Sequence, residues 1–304
     1  MIRGPAAPIS GYAALTMRII LAFLVALALA CGALAQAQPA GRIAVGAAVG
    51  ADRFEAAQAA GFDYVEVGAA RVAALTEEEF QHLAEQVAGL RIPVAAANSF
   101  IPSEVKLVGA DIDKGRQETY VGHALRRLKR LGVSVVVLGS GAARRVPEGF
   151  ARQEAFDQLV DFCRRIAPVA RENGITIAIE PLRRQESNII NTAREGLALV
   201  RAVDRPEIKL LVDFYHLSEE GESPGIVLEA GKQIVHVHVA NPKGRVFPLS
   251  AGEAAYAPFF DNLCRIGYSG RVSIEASTPD FTAEAPRSIA MLRGALACNS
   301  RDKH

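Results

Sequence analysis

The sequence contains no tryptophan, and aromatic residues make up 6% of its 304 positions, so the usual large stacking platform is missing. An excess of one charge is missing too. Lys and Arg total 34 against 33 Asp and Glu, a formal net charge of +1. That balance gives no electrostatic footprint for a nucleic-acid or membrane-surface partner. Cysteine is scarce at four residues, and none stands at C-x-x-C spacing, which removes a thiolate metal site. Cys163, Cys264 and Cys298 cannot all pair with one another. Cys163 and Cys264 fall on apolar helix faces, where a small buried hydrophobe is the default, and no disulfide is expected to be essential. No G-x-G-x-x-G follows the first strand, so the dinucleotide fingerprint of an open doubly wound sheet is absent. Neither a linker nor a low-complexity stretch divides the chain.

What is present begins with an address. After Arg3 and Arg18 comes "IILAFLVALALACGALAQAQPA", an apolar core followed by small residues with an Ala-x-Ala site at Ala33 to Ala35. This pattern reads as a secretory signal peptide over residues 1–37, with Met17 as an alternative start. The apolar run from Ile19 to Ala30 is short for a span of ~20 residues. No membrane span is expected in the mature chain, residues 38–304, and the expected location is periplasmic. Cys31, in "ALAC", leaves a lipoprotein anchor as the second option.

Beyond the signal, strand and helix patterns alternate. Short β-branched or apolar runs occur at 42–49, 62–68, 93–100, 133–140, 175–182, 208–217, 234–241 and 271–277. Between them lie stretches such as "TEEEFQHLAEQVAGL" and "EAFDQLVDFCRRIAPVARENG", with apolar residues at three-and-four spacing. Glycines at 132, 174 and 267 stand where helices should end. Eight strand–helix units over about 265 residues predict a single-domain α/β fold, a (β/α)8 barrel. The Gly cluster "GSGAARR" after the fourth run reads as a simple loop.

In such a barrel the chemistry gathers at the C-terminal strand ends, and four successive strands end in candidate ligands. They are Glu180 in "IAIEP", Asp213 and His216 in "VDFYHL", His238 in "HVHV" and Glu275 in "VSIEAS". Helix capping is the bland alternative for Asp213 and His216. Three carboxylates converging on one imidazole repel one another unless a divalent cation neutralises them. One nitrogen and three oxygens suit Mn²⁺, Mg²⁺, Co²⁺ or Zn²⁺, and the lack of thiolate weakens the case for zinc. His236 shares the inward face of His238 but lies deeper, which points to packing rather than ligation. Glu66 and Asn98 end the second and third strands and could line the pocket, Glu66 equally as a structural group. Phe100, Phe214 and Phe247 could form its apolar wall. Arg183 and Arg184 read as solvated loop charges, and His82 and His123 as helix-surface residues.

The segments "IEPLRRQESNIINT", "VDFYHL", "HVHVANPKGR" and "SIE", with "NSFIPSEVKLVGAD" after the third strand, resemble the xylose isomerase-like TIM-barrel family of sugar (phosphate) isomerases and epimerases. The likeness runs from about residue 42 to residue 297. It implies Glu180, Asp213, His238 and Glu275 as metal ligands, with Glu180 and Glu275 also as the acid/base pair. It further implies Glu186, His216 and Arg245 as substrate contacts. Arg245 stands one residue further from the metal His than in the epimerases, and "VFPLSAGE" replaces a Gly-rich segment. Homo-oligomers are common in the family, though no interface is identifiable here.

The implied reaction removes a proton beside a carbonyl, passes through an enediolate, and returns the proton to the opposite face or the neighbouring carbon. The expected substrate is a small, non-phosphorylated sugar or hydroxy-carbonyl compound, since sugar phosphates are scarce outside the cytoplasm. Two rival readings keep the same residues: a lyase or hydratase acting on 3-ketoglycosides, and a non-catalytic sugar-binding barrel. The endonucleases of related fold need a multi-zinc cluster and a basic face, which six histidines and a charge of +1 do not supply.

Overall fold

The structure, a computed structural model, describes residues 42–298 together with Met1 and Gly4. The expected signal segment, Cys31 included, lies outside the described residues apart from those two positions. In chain order the elements are β1 Ala44–Ala48, α1 Phe54–Ala60, β2 Tyr64–Gly68, α2 Ala69–Ala74, α3 Glu77–Ala88, β3 Val94–Asn98, α4 Lys114–Arg130 and β4 Val135–Leu138. They continue with α5 Arg152–Asn173, β5 Thr176–Ile179, α6 Ala193–Val203, β6 Ile208–Asp213, α7 Phe214–Glu219 and α8 Ile226–Ala230. The last are β7 Ile234–Val239, α9 Ala257–Arg265, β8 Arg271–Ile274 and α10 Phe281–Ala295.

All eight strands pair in parallel, each with its sequence neighbour, and β8 closes on β1. The result is the expected (β/α)8 barrel. Outward-facing strand residues such as Val65, Val136, Ile177, Val212 and Val272 join the helices in one continuous core. A separate interior cluster contains Tyr64, Ala96, Val137, Ala178 and Leu211. Half of this cluster is alanine, and Tyr64 supplies its one aromatic ring beside Leu211 and two valines. Gly46 makes room for that ring: a Cβ there would lie 2.4 Å from the Tyr64 ring. The period-two alternation of a strand fixes what comes next along the inward face. Two residues beyond Ala178 is Glu180, two beyond Leu211 is Asp213, and two beyond His236 is His238. The polar cluster is therefore the next inward layer above a packed one.

Helix ends follow local chemistry. Thr76 and Glu79 form a reciprocal cap on α3, with the Thr76 hydroxyl accepting the Glu79 N–H at 3.2 Å and Glu79 accepting the Thr76 N–H at 2.7 Å. Gly174 ends α5 with φ of 67°, the left-handed conformation that favours glycine.

Two expectations are corrected here. The sixth apolar run does not stay extended to residue 217: β6 stops at Asp213, and α7 starts at Phe214. Asp213 itself makes the break, because its Oδ1 accepts the Tyr215 N–H at 2.8 Å and caps the new helix. Cys264 is not a free buried hydrophobe. It bridges to Cys298, with Cα atoms 5.3 Å apart, whereas Cys163 is free and buried. The apolar pattern of α9 hid this, since its partner lies 34 residues further along the chain.

Candidate metal centre and active site

Glu180, Asp213, His238 and Glu275 come together at the C-terminal mouth of the barrel, each offering a ligand atom within 4.8 Å of the others. The first three are buried and Glu275 is nearly so. Nδ1 of His238 lies 3.1 Å from Glu180 Oε1 and 3.5 Å from Glu275 Oε2. On the other side of the ring, Nε2 donates to Glu66 Oε1 at 3.0 Å. A carboxylate on the far nitrogen fixes the tautomer and leaves Nδ1 to face the acidic cluster. Asp213 is divided in the same way: Oδ1 caps α7, and Oδ2 remains for the cluster.

The charges explain why a cation suits this place. Burial, then the Glu180 charge, pushes the Asp213 carboxyl up to about 7. Burial, then the Glu275 charge, raises Glu180 as well. For Glu275 burial acts upward too, but the His238 and Arg245 charges outweigh it and hold the group down at about 2. Burial works against a charged His238, yet Glu66 and Glu275 together raise it well above the usual imidazole range. Asp213, Glu180 and the His238 ring are thus shifted toward their protonated forms, while Glu275 stays ionised, and a divalent cation would displace the protons they hold. The donor set, one nitrogen and three oxygens in reach of one another, fits such an ion.

Glu66 is the main group whose importance the sequence left open. It is fully buried and accepts from His238 and, at 2.8 Å, from His236 Nε2. Ser273 on β8 also donates to it, and the Tyr64 hydroxyl in turn lies 2.8 Å from the Ser273 oxygen. Because the single Ser273 proton goes to Glu66, Tyr64 is the donor in that last bond. A polar chain therefore runs from the barrel interior to the back of His238. Within it His236 bonds Glu66, and Glu66, His236 and His238 lie close enough together to form a second candidate metal group, so packing is not the one role open to His236. The inward parity of Glu66 on β2 was the available signal.

The residues expected to contact a substrate also lie around this cluster. Arg245 donates to Glu275 Oε2 at 2.7 Å and to Glu186 Oε1 at 3.2 Å, and its guanidinium lies 4.8 Å from the Tyr215 ring centroid. Asn98 donates to the other Glu275 oxygen at 2.6 Å. His216 is buried on α7, where its Nδ1 accepts the Arg183 N–H at 3.2 Å. That bond puts the proton on Nε2, which has no hydrogen-bond partner. Burial, with Arg245 nearby, pulls this ring down to about 3, so it is neutral. A cavity of about 550 Å³ opens above, lined by Glu66, Arg71, Asn98, Arg245 and Glu275 among others.

Other expectations are revised. Phe100, Phe214 and Phe247 are core residues and not a cavity wall: Phe214 packs on Tyr256 and Phe259, Phe247 on Phe281, and Phe100 on Tyr120. Arg183 is no free loop charge; it pairs with Glu186 at 2.8 Å and Glu219 at 2.9 Å. Arg184 is exposed but pairs with Glu220. His82 is exposed, while His123 is half-buried and bonds the Ala73 carbonyl at 3.0 Å.

Residues 54–295 match the xylose isomerase-like TIM barrel family, and the chain belongs to it. An L-ribulose 3-epimerase of Methylomonas sp. (strain DH-1) is 31% identical over 227 residues, covering 73% of this chain and 76% of that enzyme. A 2-oxo-tetronate isomerase of Haemophilus influenzae is 27% identical, over 74% and 86% of the two chains. Among solved structures, a D-allulose 3-epimerase from Methylomonas sp. superposes with a TM-score of 0.73 at 23% identity, covering 84% of this chain and 99% of that one. A 3-keto-D-glucoside 4-epimerase from E. coli gives a TM-score of 0.70 at 19% identity, covering 83% and 100%. At those identities the last two show the shared fold alone. Among the described residues no helix is long and apolar enough to cross a membrane.

Proposed function

We propose that the protein is a divalent-metal-dependent epimerase or isomerase of a small, non-phosphorylated sugar or hydroxy-carbonyl compound. Glu180, Asp213, His238 and Glu275 hold the cation, which is Mn²⁺, Mg²⁺, Co²⁺ or Zn²⁺ by the chemistry of the donors. The observation that carries this reading is the pair Glu180 and Glu275. They leave strands β5 and β8, three places apart around the barrel, yet both reach His238 Nδ1, at 3.1 and 3.5 Å. Two carboxylates approaching one point from different strands can serve two faces of one carbon.

A bound cation would polarise the substrate carbonyl and favour loss of the neighbouring proton. The rest falls to the side chains. One of Glu180 and Glu275 removes the proton and the other returns it to the opposite face; return to the adjacent carbon gives the isomerase outcome. Asn98 and Arg245 each hold one oxygen of Glu275, which sets its orientation. His216 presents a neutral Nε2–H, a donor for a substrate hydroxyl or carbonyl. Glu186 and Arg245, bonded to each other, complete the pocket edge. The relatives named above, an L-ribulose 3-epimerase and a 2-oxo-tetronate isomerase, support this reaction class.

We also place the protein in an oxidising compartment outside the cytoplasm. The Cys264–Cys298 bridge supports this, because such bonds persist where thiols are not kept reduced. The "LALACGALA" stretch of the amino-terminal sequence supports it independently.

The test is incubation of the metal-loaded protein in heavy water with a panel of ketoses and hydroxy-carbonyl acids. Solvent deuterium should enter at the carbon beside the carbonyl of the true substrate. Metal-loaded protein that binds these compounds without exchange would be a binding barrel, and release of an aglycone from a 3-ketoglycoside without ketose turnover would be a lyase. Either result overturns the proposal.

A further inference from the structure

Arg144 lies in the segment after β4 and is 2% exposed. All four of its hydrogen-bond acceptors are neutral. Nη1 donates to the Leu138 carbonyl at 3.1 Å, Nη2 to the carbonyls of Glu180 at 2.8 Å and Ile190 at 3.3 Å, and Nε to the Ser187 hydroxyl at 3.4 Å. Burying a cation without an ion-pair partner costs several kcal/mol, so the arrangement needs a reason.

The acceptors supply one. Leu138 ends β4, Glu180 follows β5, and Ser187 and Ile190 lie at the far end of the loop that Glu180 begins. A single planar guanidinium therefore ties both ends of residues 180–190 to the rim of the barrel. That loop carries Arg183, whose N–H sets the His216 tautomer, and Glu186, which bonds Arg245. The loop also holds a strained residue. Ile190 has φ of 55°, a left-handed conformation that a β-branched side chain resists, and its carbonyl is held by Arg144 and by the Leu182 N–H at 3.1 Å. The segment before Arg144 presses on the same loop. A Cβ at Gly139 would lie 2.3 Å from Glu180 Oε2, and one at Gly141 would lie 2.4 Å from the Glu186 carbonyl.

We propose that Arg144 is a positioning residue for the metal centre, fixing the Glu180 carboxylate and the Glu186 loop through its four bonds. Lysine cannot substitute, because one ammonium lacks the planar fork that reaches four oxygens on three segments. This rests on the metal-centre reading of the site.

The test uses the metal-free wild type, Arg144→Met and Arg144→Lys, each titrated with Mn²⁺, with amide exchange measured over residues 182–190. Both variants should lose about 10- to 100-fold in Mn²⁺ affinity, as for other residues that orient ligands, and should exchange faster over the loop. A folded variant with affinity within about twofold of wild type and a protected loop overturns the proposal, and so does Arg144→Lys behaving as wild type. Should Arg144→Met not fold, Arg144→Lys alone decides; failure of both to fold assigns Arg144 to stability and also overturns it. Wild type that binds no cation would instead remove the metal-centre reading, with the exchange data still testing the hold on the loop.

Discussion

Asp213 uses its two oxygens for different work, one to start α7 and one to face the acidic cluster, and its ionisation follows from that position. Its carboxyl is pushed up to about 7 by burial and then by the Glu180 charge, against ~3.9 in an unfolded chain. The folded, metal-free form therefore holds the proton more tightly than the unfolded form. That contribution to stability is complete below about pH 4 and lost as pH rises through about 7. A cation requires the deprotonated carboxylates, so its binding should release protons and weaken as pH falls below about 7. Melting curves with and without Mn²⁺ should show a thermal increment that grows from about pH 5 to about pH 8. An increment that is flat or largest at the acid end would contradict the assignment. At the same scale, Glu180→Gln and Glu275→Gln should each lower turnover by about 10²- to 10⁴-fold and weaken metal binding. His82→Ala, on an exposed helix face, should do neither. These site residues could be read in the sequence because each ends an apolar strand, where a carboxylate needs a partner. Glu66 and Arg144 could not be assigned, because their meaning lies in groups far along the chain: Glu66 in His238, and Arg144 in the carbonyls of Glu180 and Ile190.

At the scale of elements, the alternation of strand residues decides which side chains meet. Residues two before Glu180, Asp213 and Glu275 are Ala178, Leu211 and Ser273, and their layer is tightly filled. Leu211→Ala should cost about 2–5 kcal/mol in urea unfolding, the range for truncating a buried leucine, because a closed barrel has little freedom to collapse onto the gap. The end of β4 offers a more selective probe. Gly139 does not take a positive φ, so alanine there asks nothing unusual of the backbone; the clash falls on the Glu180 carboxylate. Gly139→Ala should therefore keep the melting temperature nearly unchanged while reducing metal affinity about tenfold or more, read by titration. Equal affinity would mean that Glu180 has room to move without loss. Strand and helix order was legible from periodicity, and strand ends were less so. The run at 208–217 reads as extended to its end because its residues are apolar throughout, and only the capping oxygen of Asp213 reveals the turn into α7. The segment "GSGAARR" (139–145), read as a simple loop, likewise hid that Gly139 and Gly141 are small because other groups press against them.

For the molecule as a whole, the four proposed metal ligands come from the ends of β5 to β8, while β2 and β3 supply Glu66 and Asn98, which hold His238 and Glu275 from across the barrel. Closure of β8 on β1 brings these halves together, so the site depends on the integrity of the ring. The Cys264–Cys298 bridge bears on that integrity. It joins α9, just before β8, to the segment just after α10, and so encloses β8 within a covalent loop spanning 34 residues. Loop closure on that scale is worth roughly 3–4 kcal/mol through the unfolded chain, on a model-dependent entropy account. The double variant Cys264→Ser, Cys298→Ser should melt roughly 10 °C below wild type, yet bind Mn²⁺ with unchanged affinity, because neither cysteine touches the acidic cluster. A thiol reductant should lower the wild-type melting temperature by a similar amount and leave the variant where it was. Equal melting temperatures for wild type and variant under non-reducing conditions would show that the bridge does not form in the folded protein. The argument for an oxidising compartment would then fall back on the amino-terminal sequence alone.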